Sequence, residues 1–277
     1  MPVSVLLCEG TASSPDARVL SRILMGRAAI HPLGGKYGMG DRIKARREIL
    51  KQNTIYGILD GDFDGKCETP THRPRPWVGS DQVSLGWRWE RKEIENYLID
   101  PEVVRRALGE AAPEEQAYLN LLSESRDSVA TYQAARLALT VHRPRFAPLP
   151  NQFGAVHGFS QHLMPDDTSI ESCAKGIEVA VLEHNSLQTI VLESVEAEFQ
   201  RRRPECEPGG SRYAHFLNDF AGKDLVCAMA NGLEALGFQS PRVFLERILV
   251  GIDTTTDDVA TWLIEWAALR DAINAVQ

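Results

Sequence analysis

Carboxylates occur at three places in this chain where they could act together. Glu9 follows the apolar run Val3–Cys8. Asp60-Gly61-Asp62 follows Thr54–Leu59, and Glu93 and Glu95 lie within Glu93-Ile94-Glu95-Asn96-Tyr97-Leu98. Crowded carboxylates repel and raise one another's pKa unless a cation intervenes. Hard oxygen donors suit Mg²⁺ or Mn²⁺. Two such ions, roughly 3.5–4 Å apart, can activate a water and stabilise the leaving oxygen of a phosphodiester. Each motif also has a plainer reading, Asp-Gly-Asp as a solvated turn and Glu9 as an acid favoured at a helix start. Their joint placement at strand ends is what favours a metal site.

The elements that must hold these residues alternate in type. Val3–Cys8 has the character of a strand buried on both faces. Ser13 or Ser14 can cap a helix with Pro15 at its first position and Asp16 in its first turn, and Val19, Leu20, Ile23 and Leu24 share one face. Ala29–Leu33 is a second strand, and Asp41 can cap a helix through Lys51 with Ile43, Ile49 and Leu50 as its apolar positions. Thr54–Leu59 is a third strand. This order predicts right-handed crossovers and a parallel sheet, and ligands of such sheets bind beyond the carboxyl ends of the strands. Asp60 and Asp62, two apart in extended backbone, point to the same side. Gly65–Ser84, with three prolines, reads as a long loop, Gly86–Trp89 as a fourth strand, and Glu90–Ile99 as a helix.

The expected fold class is α/β, with a catalytic domain over 1–110 and a mostly helical region over 111–277. Helices are expected at Pro101–Leu108, Pro113–Leu139, Ile170–Arg202 (broken near Asn185), Gly222–Leu236, Pro241–Leu249 and Thr256–Ala275. Arg143–Phe159 has the composition of a linker or insertion.

The motifs Leu6-Leu7-Cys8-Glu9-Gly10, Pro32-Leu33-Gly34-Gly35, Ile58-Leu59-Asp60-Gly61-Asp62 and Glu93-Ile94-Glu95-Asn96-Tyr97-Leu98 together resemble the TOPRIM (topoisomerase–primase) domain. The likeness is to the stand-alone TOPRIM nucleases of OLD-type and PARIS anti-phage systems, which work beside an ABC-type ATPase. It covers 1–110, and later only Phe220-Ala221-Gly222-Lys223-Asp224-Leu225. The resemblance implies a Rossmann-like TOPRIM sheet and a Mg²⁺- or Mn²⁺-dependent endonuclease. It also implies a cytoplasmic phage-defence effector, a separately encoded ATPase partner and, as a further option, a homodimer. It makes Glu9 a general base or metal ligand, Asp60 and Asp62 the metal pair, and Glu95 a further ligand with Glu93 as fallback. Lys223 would stabilise transition-state charge. Asp16 stands later than the pattern expects, which favours a helix start over a ligand, and Asp64 is expected in a supporting or solvent-facing role. The alternative is an inactive TOPRIM-like scaffold that binds an ATPase through its helical half, with Trp262, Leu263, Trp266 and Leu269 as the surface. A primase or topoisomerase fragment is disfavoured, because neither a zinc ribbon nor a recognisable strand-passage tyrosine is present.

The remaining signals bear on partners. Basic residues gather around the expected crevice: Lys36, Arg42, Lys44, Arg46 and Arg47, then Arg73, Arg75, Arg88, Arg91 and Lys92. Of these, Lys36, Arg42, Arg73, Arg75, Arg88 and Arg91 are the candidates for nucleic-acid contact. Trp77, Trp87 and Trp89 interleave with them, as stacking residues or as core. Arg201-Arg202-Arg203 suits a helix C-terminus. Gly34–Asp41 lacks the Gly-Lys-Ser/Thr of a phosphate loop and reads as a turn. The histidines show no zinc-hydrolase spacing, and neither Ser211 nor Cys8 has a histidine partner in sight.

With 277 residues, 43% apolar and 25% charged, the chain has an ordinary globular composition. No apolar run reaches the ~20 residues of a membrane span. The N-terminus has no signal-peptide pattern, and five scattered cysteines (Cys8, Cys67, Cys173, Cys206, Cys227) fit a reducing compartment. The net charge of −8 divides unevenly: residues 1–110 hold 17 Lys+Arg against 15 Asp+Glu (+2), leaving 13 against 23 (−10) for the rest. Two divalent ions would add +4 to the first region and make it +6 to a phosphate backbone.

Overall fold

A computed structural model describes residues 2–51, 53–61, 69–142, 155–156, 163–164 and 167–276. Asp62, Asp64, Cys67 and most of Arg143–Phe159 lie outside the described residues. Strand β1 (Val5–Cys8) leads to helix α1 (Pro15–Leu24), β2 (Ala29–Pro32), α2 (Met39–Leu50) and β3 (Ile55–Leu59). A hairpin of β4 (Arg75–Val78) and β5 (Ser84–Arg88) follows, and then α3 (Glu95–Leu98) and α4 (Pro101–Leu108). The long α5 (Glu115–Val141) begins the helical half. After the short pair β6 (Ala155–Val156) and β7 (Leu163–Met164) come α6 (Ile170–Gln188), α7 (Leu192–Cys206), α8 (Ser211–Ala214) and α9 (Phe216–Asp219). The chain closes with α10 (Gly222–Ala228), α11 (Ala230–Ala235), α12 (Pro241–Thr254) and α13 (Ile264–Asn274). No described helix is long and apolar enough to cross a membrane.

The main sheet has the order β2-β1-β3-β5-β4, parallel except for β4. Alternation along β1 explains its two covered faces. Leu6 and Cys8 enter the larger core with α1 and the C-terminal helices, while Val5 and Leu7 enter a smaller one with Met39 and Ile43 of α2. In α1 the Ser14 side chain accepts from the Ala17 N–H, Pro15 starts the first turn, and Val19, Leu20, Ile23 and Leu24 are buried. Full burial of Leu6, Leu20 and Ile23 contributes roughly 1.5–3 kcal/mol each. The larger core continues from Val3 through Val103, Leu137 and Phe244 to Ile273, so the segments before and after residue 110 share it.

The structure corrects several expectations. Residues 75–78 form a strand inside the expected loop, and Pro76 is tolerated because β4 is the sheet edge, where a missing N–H costs little. Only Glu95–Leu98 of Glu90–Ile99 is helical, because the preceding backbone is engaged elsewhere. The Glu90 N–H donates to Glu265 Oε1 at 2.7 Å, and the Glu93 N–H donates to Asn96 Oδ1 at 3.0 Å. Helix α2 starts at Met39, before Asp41, and Ile49 and Leu50 are 78% and 54% exposed, Met39 being buried instead. Of the two readings left open for the tryptophans, core is the one observed: Trp87 and Trp89 are buried and Trp77 packs on the smaller core. Trp262, Trp266 and Leu269 are buried and Leu263 packs on the same core, so they offer no partner surface.

Candidate active site at the carboxyl ends of the strands

The sheet order creates the crevice. Strand β1 has β2 on one side and β3 on the other, so the connections leave β1 in opposite directions, and a gap opens between the carboxyl ends of β1 and β3. Leu7 pairs with Gly57 in register, so Glu9 leaves β1 level with Leu59, beside Asp60. The chain then turns through Gly10, whose N–H and C=O pair with those of Gly34 at 2.8 Å each. Gly10 has φ +82, and a Cβ there would stand 2.4 Å from Ser14 Oγ, so this close turn into α1 requires glycine.

The turn brings Asp16 back to the crevice. Its carboxyl is pushed up to about 6, first by burial and then by the charges of Glu95 and Glu9, against relief from its own backbone N–H and from Lys223. Asp16 is therefore both a first-turn residue of α1 and a neighbour of the other acids, where sequence had favoured only the first role. Cys8, beneath them, is pushed up to about 12 by burial, then by Asp16, Glu9 and Asp60, which keeps it protonated and poorly nucleophilic.

The fourth wall comes from two distant segments locked together. Asn96 is buried, and its amide donates to the Phe220 carbonyl at 2.9 Å. Gly222 lets α10 dock, since a Cβ there would lie 2.6 Å from the Asn96 nitrogen and 2.9 Å from Glu95 Cβ. The Lys223 N–H then donates to Glu93 Oε2 at 2.9 Å, and Lys223 Nζ stands 3.4 Å from Glu93 Oε1 and 3.2 Å from Glu95 Oε2. Burial tends to lower the pKa of Lys223, but Glu95, Glu93 and then Asp60 outweigh it and raise the pKa. Behind α10, Gln133 of α5 uses both ends of its amide: Nε2 donates to Asp224 Oδ2 at 2.6 Å, and Oε1 accepts the Ala221 N–H at 3.0 Å. Neither Gln133 nor the docking role of Asn96 could be found from sequence, because a mid-helix glutamine and a lone asparagine carry no pattern.

The donor set fits a hard divalent cation in kind. It consists of carboxylate oxygens, and Glu95 Oε2 is buried with the Lys223 ammonium beside it but no well-aligned hydrogen bond. Among the described residues no three Asp, Glu, His or Cys side chains are close enough to enclose an ion as they stand. The structure separates the two helix-start acids: Glu93 is tied to the Lys223 backbone, while Glu95 faces Asp16.

The expected nucleic-acid residues divide as well. Arg42 and Arg73 are exposed, and Lys36, Arg75 and Arg88 are half-buried. Arg91 is a correction: it is buried, donates to the Asn96 carbonyl at 2.9 Å, pairs with Asp100 at 2.7 Å and lies over the Tyr97 ring. Lys92 is likewise buried. Lys44 pairs with Asp81, and Arg47 caps the Ile55 and Ser84 carbonyls. Arg201–Arg203 form ion pairs along α7, the structural role expected of them. Compared with known proteins, the chain matches no protein-family model and no curated protein.

Proposed function

We propose that this protein is a divalent-metal-dependent phosphodiesterase of TOPRIM type that cleaves nucleic acid as the toxic effector of a phage-defence pair, held in check by a separately encoded ATPase. The observation that carries the reading is the meeting of Glu9, Asp16, Asp60 and Glu95 with Lys223 at the β1/β3 crevice. Segments up to 214 residues apart contribute these side chains. Desolvated acids that repel one another raise the energy of the empty centre, and a cation relieves it. Glu9, Asp16, Asp60 and Glu95, joined by Asp62, would hold Mg²⁺ or Mn²⁺, which polarises the phosphodiester and lowers the pKa of an attacking water.

The chain's own groups supply the rest. Glu9 would serve as the general base that takes a proton from the attacking water. Lys223, fixed by Glu93 through its backbone, presents its ammonium to the charge that builds on the phosphoryl oxygens. Cys8 stays a thiol and takes no part. The exposed Arg42 and Arg73 hold the strand by its phosphates.

The test is cleavage of plasmid DNA and of total RNA by purified protein with Mg²⁺ or Mn²⁺, alongside toxicity in cells that carry the neighbouring ATPase. Glu9→Ala is expected to abolish both cleavage and toxicity while leaving the melting temperature unchanged or raised. Undiminished cleavage by Glu9→Ala would overturn the assignment.

A further inference from the structure

A groove of about 430 Å³ is lined by Pro70, His72, Arg91, His215, Phe216 and Asn218 among others. Both of its walls run into that centre. On one side the Arg91 carbonyl accepts the N–H of Gly61, the residue after Asp60, at 3.0 Å, and the chain reaches Glu93 two residues later. On the other side α9 passes at once into Phe220–Lys223.

His72 is held in this lining at a backbone cost. Its φ of 55° lies in the left-handed region, uncommon for a non-glycine residue although histidine enters it more readily than most. Glu90, 6% exposed, holds it there. Its Oε1 accepts the Thr71 N–H at 2.7 Å and the Thr71 hydroxyl at 2.9 Å, and its Oε2 accepts the His72 N–H at 2.8 Å. The Glu90 N–H is in turn given to Glu265. A buried carboxylate, anchored across the molecule, thus serves to hold one turn and the imidazole it carries.

We propose that this groove is a nucleotide subsite, seating one unpaired nucleotide of a DNA or RNA strand beside the scissile phosphate. Its base lies against Pro70 and Phe216, and its polar edge or phosphate meets the imidazoles of His72 and His215. The inference rests on the phosphodiesterase reading of the neighbouring centre. The apolar walls offer a contact to a base face that stacked, paired bases cannot make.

The test is fluorescence anisotropy of labelled oligonucleotides of about 12 nucleotides, single-stranded DNA, single-stranded RNA and a blunt duplex of the same sequence, with Ca²⁺ present. His72→Asn keeps a residue that tolerates the left-handed turn, and His215→Asn keeps a polar side chain. The double variant is expected to bind the single strands about tenfold more weakly than the parent, with an unchanged melting temperature. His72→Gly, which relieves the turn, is expected to melt no lower than the parent and still lose affinity, an outcome a purely structural histidine would not produce. Equal affinity of parent and double variant, or a duplex bound as tightly as a single strand, would overturn the subsite. Glu9→Ala is expected to lose cleavage. Cleavage by Glu9→Ala would instead sink the phosphodiesterase reading and leave the groove to be judged on its binding data.

Discussion

Two clusters of carboxylates in this molecule have opposite electrostatics. On α7, Glu198 is pulled down to about 2 by hydrogen bonds from Arg201 and, against burial, from Arg202 as well. The same network carries on through Glu205 to the fully buried Arg212, and from there to Asp219. At the carboxyl ends of β1 and β3, Asp16 moves the other way, up to about 6, pushed first by burial and then by Glu95 and Glu9, with Lys223 opposing them. The first cluster is neutralised from within the chain and holds α7, α8 and α9 together. In the second, burial and the repulsion of neighbouring acids outweigh the relief that Lys223 gives Asp16. A carboxyl raised in this way marks a candidate site rather than an ordinary ion-pair network.

The largest expected effect lies in the first cluster. Arg212→Met leaves Glu205 and Asp219 without their buried cation, and it should cost about 3–5 kcal/mol in urea unfolding. A loss below about 1 kcal/mol, the size of an exposed pair, would remove the contrast. In the second cluster Lys223→Met should lower cleavage by roughly 10²–10³, the effect of removing one transition-state donor. Stability should change little, since Lys223 is 61% exposed. If instead stability fell and the cleavage rate held, Lys223 would belong with the structural pairs.

The sequence made the parallel sheet and the strand-end acids legible, because both rest on local signals: apolar runs of strand length, a serine–proline helix start and acids directly after the strands. It did not make the fourth wall legible. Residues 90–94 looked helical by composition, yet their backbone is taken by Glu265, Gly61 and Asn96, partners up to 175 residues away. Asp16 was underweighted for a similar reason. A first-turn aspartate has a sufficient local explanation in the helix dipole, and only the turn at Gly10 reveals that it also faces Glu95. Alternation with arginine left Trp87 and Trp89 open between stacking and core and made Arg91 a contact candidate, because it cannot show which side chains the rest of the fold covers.

Glu265 lies between the two clusters in kind. It is a buried acid satisfied by neutral donors, the Tyr97 hydroxyl at 2.7 Å and the Glu90 N–H at 2.7 Å. Burial pushes it up to about 7, and these hydrogen bonds together with Arg91 only partly oppose this. The folded-state pKa is thus above the ordinary value of 4.5, so its contribution to stability is complete below about pH 4.5 and is lost as pH rises through about 7. The loss should reach about 3 kcal/mol by pH 8. Glu265→Gln should flatten that part of the stability–pH curve in denaturant titrations from pH 4 to 8. An unchanged slope would assign the titration to another group.

The smallest effect is the most discriminating for the comparison. If Asp16 is one acid too many, Asp16→Asn should stabilise the metal-free protein by about 1–2 kcal/mol, a figure reduced from the full pKa shift because the carboxyl is only half-buried. The parent should then recover the difference as Mg²⁺ is added, since an ion bound only by the folded state stabilises it by about 2.7 kcal/mol at a hundredfold excess over Kd. Asp16→Asn should show a smaller shift. A helix-start aspartate predicts the reverse. Losing its charge beside the α1 N-terminus would cost about 0.3–1 kcal/mol with or without metal. Thermal melts of the two proteins in EDTA and in Mg²⁺ therefore separate the two roles by sign, and a lower melting temperature for Asp16→Asn in EDTA would mean that burial and repulsion from Glu95 and Glu9 do not govern Asp16.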